Sequence, residues 1–257
     1  MKTRTLSLLL LLGVNIATAS NMEYEINFVG MKMDYKEYGR SGTLLDSEKS
    51  AFSDILGSEL KYRYFVEERS FVEASVLGVG GTTDYVGSLI GSGLGYGSYT
   101  STTSNTVWDL ALSYNRVNET MFPNINVLGG LGMGYRYWER ELSSSQKELY
   151  TWYSLRARVG LLYTMQDVTF AFMGEYQYGI DPTMTASNIS GDFKLGAADI
   201  IELSLPIHYR INEKFDLSCA YVWSRQKIRE SNVVSGYYEP DSTAYNQYLK
   251  LGIVFKY

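Results

Sequence analysis

The final residues of the chain alternate strictly between two kinds of side chain, and no other feature restricts the possible folds as much. One set is apolar or aromatic and comprises Leu249, Leu251, Ile253, Phe255 and Tyr257. The opposite set is mixed and partly charged and comprises Tyr248, Lys250, Gly252, Val254 and Lys256. Successive side chains of a β-strand point to opposite faces. The period of two therefore predicts a strand with one apolar face and one charge-bearing face.

The same period recurs along the chain and predicts an all-β fold. Clear alternation covers positions 56–64, 108–115, 151–163, 168–178, 200–210, 217–224 and 248–257. Weaker patterns cover 24–35, which changes phase near Gly30, and also 71–80 and 125–138. These segments give ten strands. Eight remain possible if the first or third pair is miscounted, and twelve if the Gly-, Ser- and Thr-rich stretch 81–105 hides a hairpin. Pro206 has no N–H to donate, so it predicts a bulge or a locally missing ladder bond in its strand.

The connections between these segments alternate in length. Short ones are predicted at 66–70, 117–124, 164–167 and 211–214, and long polar ones at 37–50, 81–105, 139–149, 180–198 and 229–243. This layout is typical of a transmembrane antiparallel up-and-down β-barrel. A soluble exported sandwich or lipocalin-like barrel would instead bury the apolar face. The many charges on the opposite face, and the tyrosines beside the short connections, favour the membrane barrel.

The first residues form a separate segment with the features of an export signal. Lys2 and Arg4 precede an apolar run, and Ala17-Thr18-Ala19 fits the rule for signal peptidase cleavage. The run is too short to span the bilayer as a helix. We therefore predict a cleaved signal peptide at 1–19 and one barrel domain at 20–257.

Charge and rare residues exclude several functions. The chain has 28 Asp and Glu against 23 Lys and Arg, and loss of the leader removes two of the cations. This acidic balance argues against a nucleic-acid partner. Cys219 is the single cysteine, so no intrachain disulfide can form, and His208 is the single histidine.

The chain resembles a bacterial outer-membrane β-barrel protein of the small porin or surface-antigen type. The leader and the last strand, which ends on aromatic Tyr257, carry the resemblance. The last strand is similar to the signal by which the barrel-assembly machinery recognises its clients, although Phe is the usual final residue. The resemblance implies integral insertion in the outer membrane with both termini in the periplasm. It also implies contact with membrane lipid and lipopolysaccharide.

The architecture is also similar to that of the ten-stranded omptin surface proteases. That family uses two acidic residues on one wall of an extracellular cleft and an Asp–His pair on the other. Asp46 and Glu48 could imitate the acidic pair, but His208 is predicted beside the short connection 211–214, at the opposite end. We therefore predict no catalytic residues, no cofactor-binding residues and no metal ligands. Loop carboxylates such as Asp46, Glu48 and Glu239 leave weak cation binding open.

Charged residues on the inward phase form the main candidate site. This predicted lumen charge network comprises Glu59, Lys61, Arg63, Glu73, Asp109, Arg136, Arg156, Arg158, Glu175, Glu202, His208, Arg210 and Lys250. It is either a paired network that plugs a narrow barrel or the lining of a selective pore. The sequence thus predicts a non-enzymatic barrel with a plugged or narrow lumen. Its loops would serve surface interaction, with an extracellular ligand possible, or limited solute passage. An omptin-like or lipid-modifying enzyme is the alternative.

Overall fold

The computed structural model describes residues 21–88, 95–187 and 189–257. The predicted leader and part of the Gly-rich stretch 81–105 lie outside these residues. The described chain contains twelve strands. They are β1 (Met22–Tyr38), β2 (Leu44–Lys49), β3 (Ile55–Glu67), β4 (Ser70–Gly87), β5 (Tyr99–Glu119), β6 (Ile125–Ser143), β7 (Gln146–Met165), β8 (Val168–Ala186), β9 (Asp192–Lys194), β10 (Ala198–Arg210), β11 (Phe215–Ile228) and β12 (Asp241–Lys256). In these residues, no helix is long and apolar enough to cross a membrane.

The strands close into an antiparallel barrel with ten positions in its wall. β2 and β3 share one position, because both pair with β1 on one side and β4 on the other. Short β9 and long β10 likewise share the position beside β8. The ladder between β12 and β1 closes the ring and runs from Glu23 opposite Lys256 to Tyr38 opposite Asp241. The predicted fold class and the favoured count of ten are confirmed. Closure leaves no long unpaired edge among the described strands, so continuous strand pairing can supply rigidity without a disulfide.

Pro206 interrupts one ladder as predicted. The β10–β8 pairing runs to Ser204 and resumes at Ile207, while the β10–β11 pairing continues through Pro206 opposite Ala220. The missing N–H therefore affects only the β8 side of the strand.

An apolar belt surrounds the half of the barrel that carries the termini and the short connections. Its outward side chains remain well exposed, as in Phe28 (59%), Leu131 (71%) and Leu251 (60%). Tyr64, Tyr114, Tyr163, Tyr209 and Tyr257 border the belt at the short-connection end and are also exposed. Soluble monomers rarely expose apolar surface continuous around their circumference. A belt with an aromatic border is the surface that hydrocarbon covers in a membrane barrel.

The strands continue beyond the belt, where their outward side chains become polar and their inward side chains become apolar. Along β1 the outward residues change from Ile26 and Phe28 to Lys32 and Lys36, while the inward residues become apolar, as in Met31 and Met33. The phase change predicted near Gly30 is wrong, because odd-numbered residues of β1 face inward throughout. The sequence pattern shifts there because the wall leaves the lipid-facing belt and becomes a water-facing barrel with an apolar interior.

The same exchange explains why several long connections were predicted too long. The interval 37–50 holds the end of β1 and all of β2, and 139–149 holds the end of β6 and the start of β7. The intervals 81–105 and 180–198 likewise include strand residues of β4, β5, β8 and β9. Outward polar residues in these extensions resemble loop composition, but their backbones are paired as strands. We refer to this extended end of the barrel as the rim.

Apolar side chains fill the lumen between the belt region and the rim. The buried cluster, called here the apolar plug, comprises Val29, Met31, Met33, Tyr35, Ile55, Val79, Val107, Trp138, Tyr150, Trp152, Met184, Phe193, Leu195, Ala198, Ile200, Val222, Ile228, Ala244 and Tyr248. Trp138 and Trp152 are almost completely buried, and Trp138 stacks on Tyr150 with ring centroids 5.0 Å apart. The sequence left two roles open for the inward charges, which were a paired network that plugs the lumen or the lining of a selective pore. In the structure, apolar side chains form this layer, and the predicted charge network lies between it and the short-connection end.

Candidate functional site

All thirteen residues of the predicted lumen network line one cavity of about 400 Å³ inside the belt half of the barrel. The cavity extends from the short-connection end, where Asp167, Asp216 and Lys256 also line it, to the underside of the apolar plug. Tyr248 and Val222 form part of that apolar end. Sequence reasoning missed Glu23, which also lines the cavity, and Glu25, which pairs with two of its cations. Both follow the inward phase of β1, whose apparent phase change hid them.

Arginine residues link the carboxylates of this cavity into a chain of ion pairs. Arg63 donates to Glu73 at 2.7 Å and to Glu25 at 2.9 Å. Arg158 donates to the other oxygen of Glu73 at 2.9 Å and to Glu175 at 2.7 Å. Glu73 therefore joins two arginines from opposite sides of the cavity. Such charge-assisted bonds are the strong class of hydrogen bond.

A second group of ion pairs lies on the neighbouring part of the wall. Asp109 accepts bonds from Arg136 at 3.2 Å and from Arg156 at 2.8 Å. Gly134 on β6 allows this arrangement, because a Cβ there would collide with the guanidinium of Arg156. Lys250 donates to Glu59 at 2.9 Å. Most of the predicted charges are thus held by partners within the protein.

We expect Glu73→Gln to destabilise the barrel by about 3–5 kcal/mol, since it leaves two partly buried arginines with one partner fewer each. Denaturant unfolding of refolded protein in lipid vesicles would measure this. Glu119→Gln is the matched control, because Glu119 is exposed and pairs only with exposed Arg69, so its loss should cost less than about 1 kcal/mol. Equal effects of the two variants would contradict a stabilising network.

The strand β10 contributes predicted residues that are not paired. Among the described residues, Glu202, His208 and Arg210 form no ion pair within 4.0 Å, yet all three line the cavity. His208 lies opposite Thr169 and Ser218 in its two ladders, close to the short connections. Asp46 and Glu48 lie at the rim, on the other side of the plug. The single histidine therefore cannot complete an omptin-like set with them.

A second polar cluster lies at the rim, beyond the belt. It is centred on Arg140, which is completely buried. Its guanidinium donates to Glu48 at 2.7 Å, Glu37 at 2.8 Å and Glu148 at 2.7 Å. The same group lies over the ring of Tyr35, 4.3 Å from its centroid. This rim cluster therefore ties together strands β1, β2, β6 and β7.

Carboxylates outnumber cations in the rim cluster. Glu239, from the connection before β12, accepts a hydrogen bond from the Tyr150 hydroxyl, and Asp46 accepts one from Tyr85 at 2.6 Å. Burial, with nearby Glu37, raises the pKa of Asp46 to about 7. Burial, with Glu37 and Glu148, raises the pKa of Glu239 well above its usual value. Burial and the neighbouring acids thus favour the protonated forms of these two carboxyl groups.

Three members of the rim cluster have oxygen atoms close enough to share a cation. One oxygen each of Glu37, Glu148 and Glu239 lies within 4.8 Å of the others. Arg140 already donates to two of the three, and Tyr150 donates to Glu239. The sequence placed Asp46 and Glu48 in one predicted connection and Glu239 in another, and it gave no sign of Arg140 or Glu148. Arg136, Trp138 and Arg140 occupy alternate positions on one face of β6, and this continued alternation could have revealed Arg140.

A closed antiparallel barrel with an exposed apolar belt is the outer-membrane β-barrel fold, and this chain has ten positions in its wall. The structure of the outer membrane protease OmpT from Escherichia coli is similar, with a TM-score of 0.53 at 11% identity, covering 93% of this chain and 98% of that chain. The outer membrane protein OprG from Pseudomonas aeruginosa (TM-score 0.40, 12% identity, 92% and 97% covered) and Neisserial surface protein A (0.36, 12%, 93% and 98%) are more distant.

Likeness at this level of identity extends to the fold alone. No protein-family model matches the sequence, and no curated protein matches it significantly. The chain thus has the outer-membrane barrel fold, and its particular function has to be argued from its own residues.

Proposed function

We propose that this protein is a non-enzymatic, non-conducting barrel of the outer membrane that presents a rigid rim to the cell exterior. The observation that carries the proposal is the apolar plug. Trp138, Trp152 and Met33 are almost completely buried in the lumen, between the cavity and the rim. Ion passage needs a continuous hydrated path, and a packed apolar layer offers no partners to a hydrated ion.

The proposed orientation places both termini in the periplasm and the rim outside. The short connections and the termini share one end, which is the periplasmic arrangement of bacterial barrels. The leader at 1–19 would supply export, and the last strand would be recognised by the assembly machinery. The extended strands would then raise the rim beyond the membrane surface.

The proposed absence of enzymatic activity rests on the chemistry available at the rim. In the described residues, the rim cluster holds carboxylates, tyrosines and one arginine that are engaged with one another, with Arg140 completely buried. A general base needs a positioned reacting partner and access to substrate. His208, the residue best suited to that role, faces the cavity at the other end.

A row of basic side chains supports lipopolysaccharide as a contact of the outer face. Arg225, Lys227, Lys32, Lys36 and Lys49 lie on β11, β1 and β2 just beyond the belt. Asp34 lies among them and contacts Lys36 at 3.6 Å. Positive charge at the border of the belt would attract anionic headgroups whose acyl chains cover the apolar surface. The connections of the rim would remain available to an extracellular partner.

Planar-bilayer recording of refolded protein tests the proposal directly. We expect no steps of conductance, even at high protein load, because the plug closes the lumen. Insertion would be verified separately by the heat-dependent gel mobility of the folded barrel. Reproducible conductance steps from the unmodified protein would overturn the proposal in favour of a narrow pore.

A further inference from the structure

The cavity beneath the plug contains one deep carboxylate that the protein leaves without a partner. Glu202 projects inward from β10, directly opposite Glu175 in the β8–β10 ladder. Glu175 is engaged by Arg158 at 2.7 Å and by Arg156 at 3.7 Å. In the described chain, Glu202 has neither a hydrogen bond nor an ion pair to a side chain. A carboxylate withdrawn from bulk water is costly unless something compensates its charge.

The cations nearest to this wall are already committed to other acids. Arg158 bridges Glu73 and Glu175, and Lys250 donates to Glu59 at 2.9 Å. The unpaired Arg210 lies eight residues along the same strand, which is roughly 26 Å at the usual rise. In the described chain, Arg158 and Lys250 thus contact other acids, and none of these cations forms an ion pair with Glu202.

Two further features beside Glu202 point to a ligand. The Oε1 atom of Gln177 has no hydrogen-bond partner, although Gln177 is only 5% exposed and lines the cavity. Gln177 pairs with Ile200 in the ladder, next to the Glu175–Glu202 pair. Ile200, Val222 and Tyr248 provide the apolar, partly aromatic end of the cavity. The deep end thus combines an unpaired carboxyl group, an unpaired amide oxygen and an apolar surface.

We propose that this end of the cavity binds a small organic cation that carries a primary ammonium group on a short apolar chain. The ammonium would donate to Glu202 and to Oε1 of Gln177, which satisfies both acceptors. The chain would pack on Ile200 and Val222, and the ring of Tyr248 would face the cation. The volume of about 400 Å³ accommodates such a molecule. Entry would be from the short-connection end, because the plug closes the other end.

Calorimetric titration of the detergent-solubilised full chain with butylammonium, in an amine-free buffer, tests the proposal. Butyrate, which has the opposite charge, serves as the negative ligand. We expect butylammonium to bind and butyrate not to bind. Glu202→Gln should weaken butylammonium binding by about tenfold or more, because it removes a charged hydrogen-bond partner. Glu213→Gln, on the exposed connection of the same hairpin, should leave the affinity unchanged.

Thermal unfolding provides a second measurement that a merely structural role would not reproduce. Butylammonium should raise the unfolding temperature of the wild type and of Glu213→Gln, but not that of Glu202→Gln. Without ligand, Glu202→Gln should be at least as stable as the wild type, because no internal partner is lost. Absence of butylammonium binding to the wild type, equal binding by Glu202→Gln, or a ligand-free loss of stability in that variant would overturn the proposal. A conducting wild type would refute the closed lumen without affecting this result.

Discussion

Replacing Arg140 with methionine should destabilise the rim by about 3–5 kcal/mol, the cost typical of breaking a buried ion pair from one side. Arg140 is completely buried and is the partner shared by Glu37, Glu48 and Glu148. Methionine preserves much of the side-chain length and removes the charge. The carboxylates would then repel one another within a water-poor region.

The loss should depend on pH in a defined direction. The pKa values of Asp46 and Glu239 are raised by burial and neighbouring acids, so the folded rim favours their protonated forms. For a carboxyl group with a raised folded pKa, stability is present below the unfolded value and is lost as pH rises through the folded value. For Asp46 this interval runs from about 4 in the unfolded chain to about 7 when folded. At pH 8 more of these carboxyl groups are ionised, and without Arg140 they lack their shared cation. Arg140→Met should therefore destabilise the rim more at pH 8 than at pH 5.

Denaturant unfolding of vesicle-reconstituted protein at both pH values would measure the effect, and limited proteolysis would locate it at the rim. Arg40→Met is the matched control, since Arg40 is an exposed rim arginine paired with Glu230 at 2.9 Å. Its loss should cost less than about 1 kcal/mol. If the two variants unfold alike, or if Arg140→Met is equally harmful at both pH values, the rim cluster does not hold the structure together as inferred.

The sequence predicted the belt half of the barrel well because lipid contact imposes one rule on every strand there. Outward residues such as Leu155 and Leu251 must be apolar, and inward ones such as Arg156 and Lys250 are free to carry charge. Alternation therefore revealed both the strand and its phase. The short connections followed for the same reason, because they interrupt the alternation over only a few residues.

That rule did not predict the rim, because at the rim the outward side chains face water and the inward side chains face the apolar plug. In the sequence, Lys32 and Lys36 resemble the start of a polar loop, although they lie on the water-facing side of β1, which continues past them. Met31 and Met33 read as a change of phase, although they belong to the plug. Because the rule for lipid-facing strands was applied along the whole chain, the predicted segments for β1, β6 and β7 were too short.

The charged cavity and the rim cluster differ in what a sequence can reveal. Inward phase alone assigned the thirteen cavity residues to one lumen, but it could not tell paired Arg158 from unpaired Glu202. That distinction depends on which strands face one another across the barrel, which is set by closure and register. Arg140 meets Glu48 across 92 positions of sequence. No local pattern connects them.

Removing the two large aromatic side chains of the plug should make the barrel conduct, whereas we propose that the unmodified barrel does not. Trp138 and Trp152 are nearly fully buried on adjacent strands β6 and β7, and each contributes a large volume to the lumen layer. Trp→Ala in a packed core costs about 3–5 kcal/mol and leaves a void when the surroundings cannot collapse. The closed wall, held by its ladders, limits such collapse. Water can then reach the space between the cavity and the rim.

We expect the double variant Trp138→Ala/Trp152→Ala to give conductance steps in planar bilayers, with the single variants less conductive or silent. The single variants keep the test informative if the double variant folds poorly. Trp108→Ala is the matched control, because Trp108 is 47% exposed on the outer face of β5, so its removal leaves the lumen filled. If the folded double variant remains silent, the residual plug closes the lumen by itself. If Trp108→Ala conducts equally, leakage reflects a damaged wall and the two tryptophans are not the barrier.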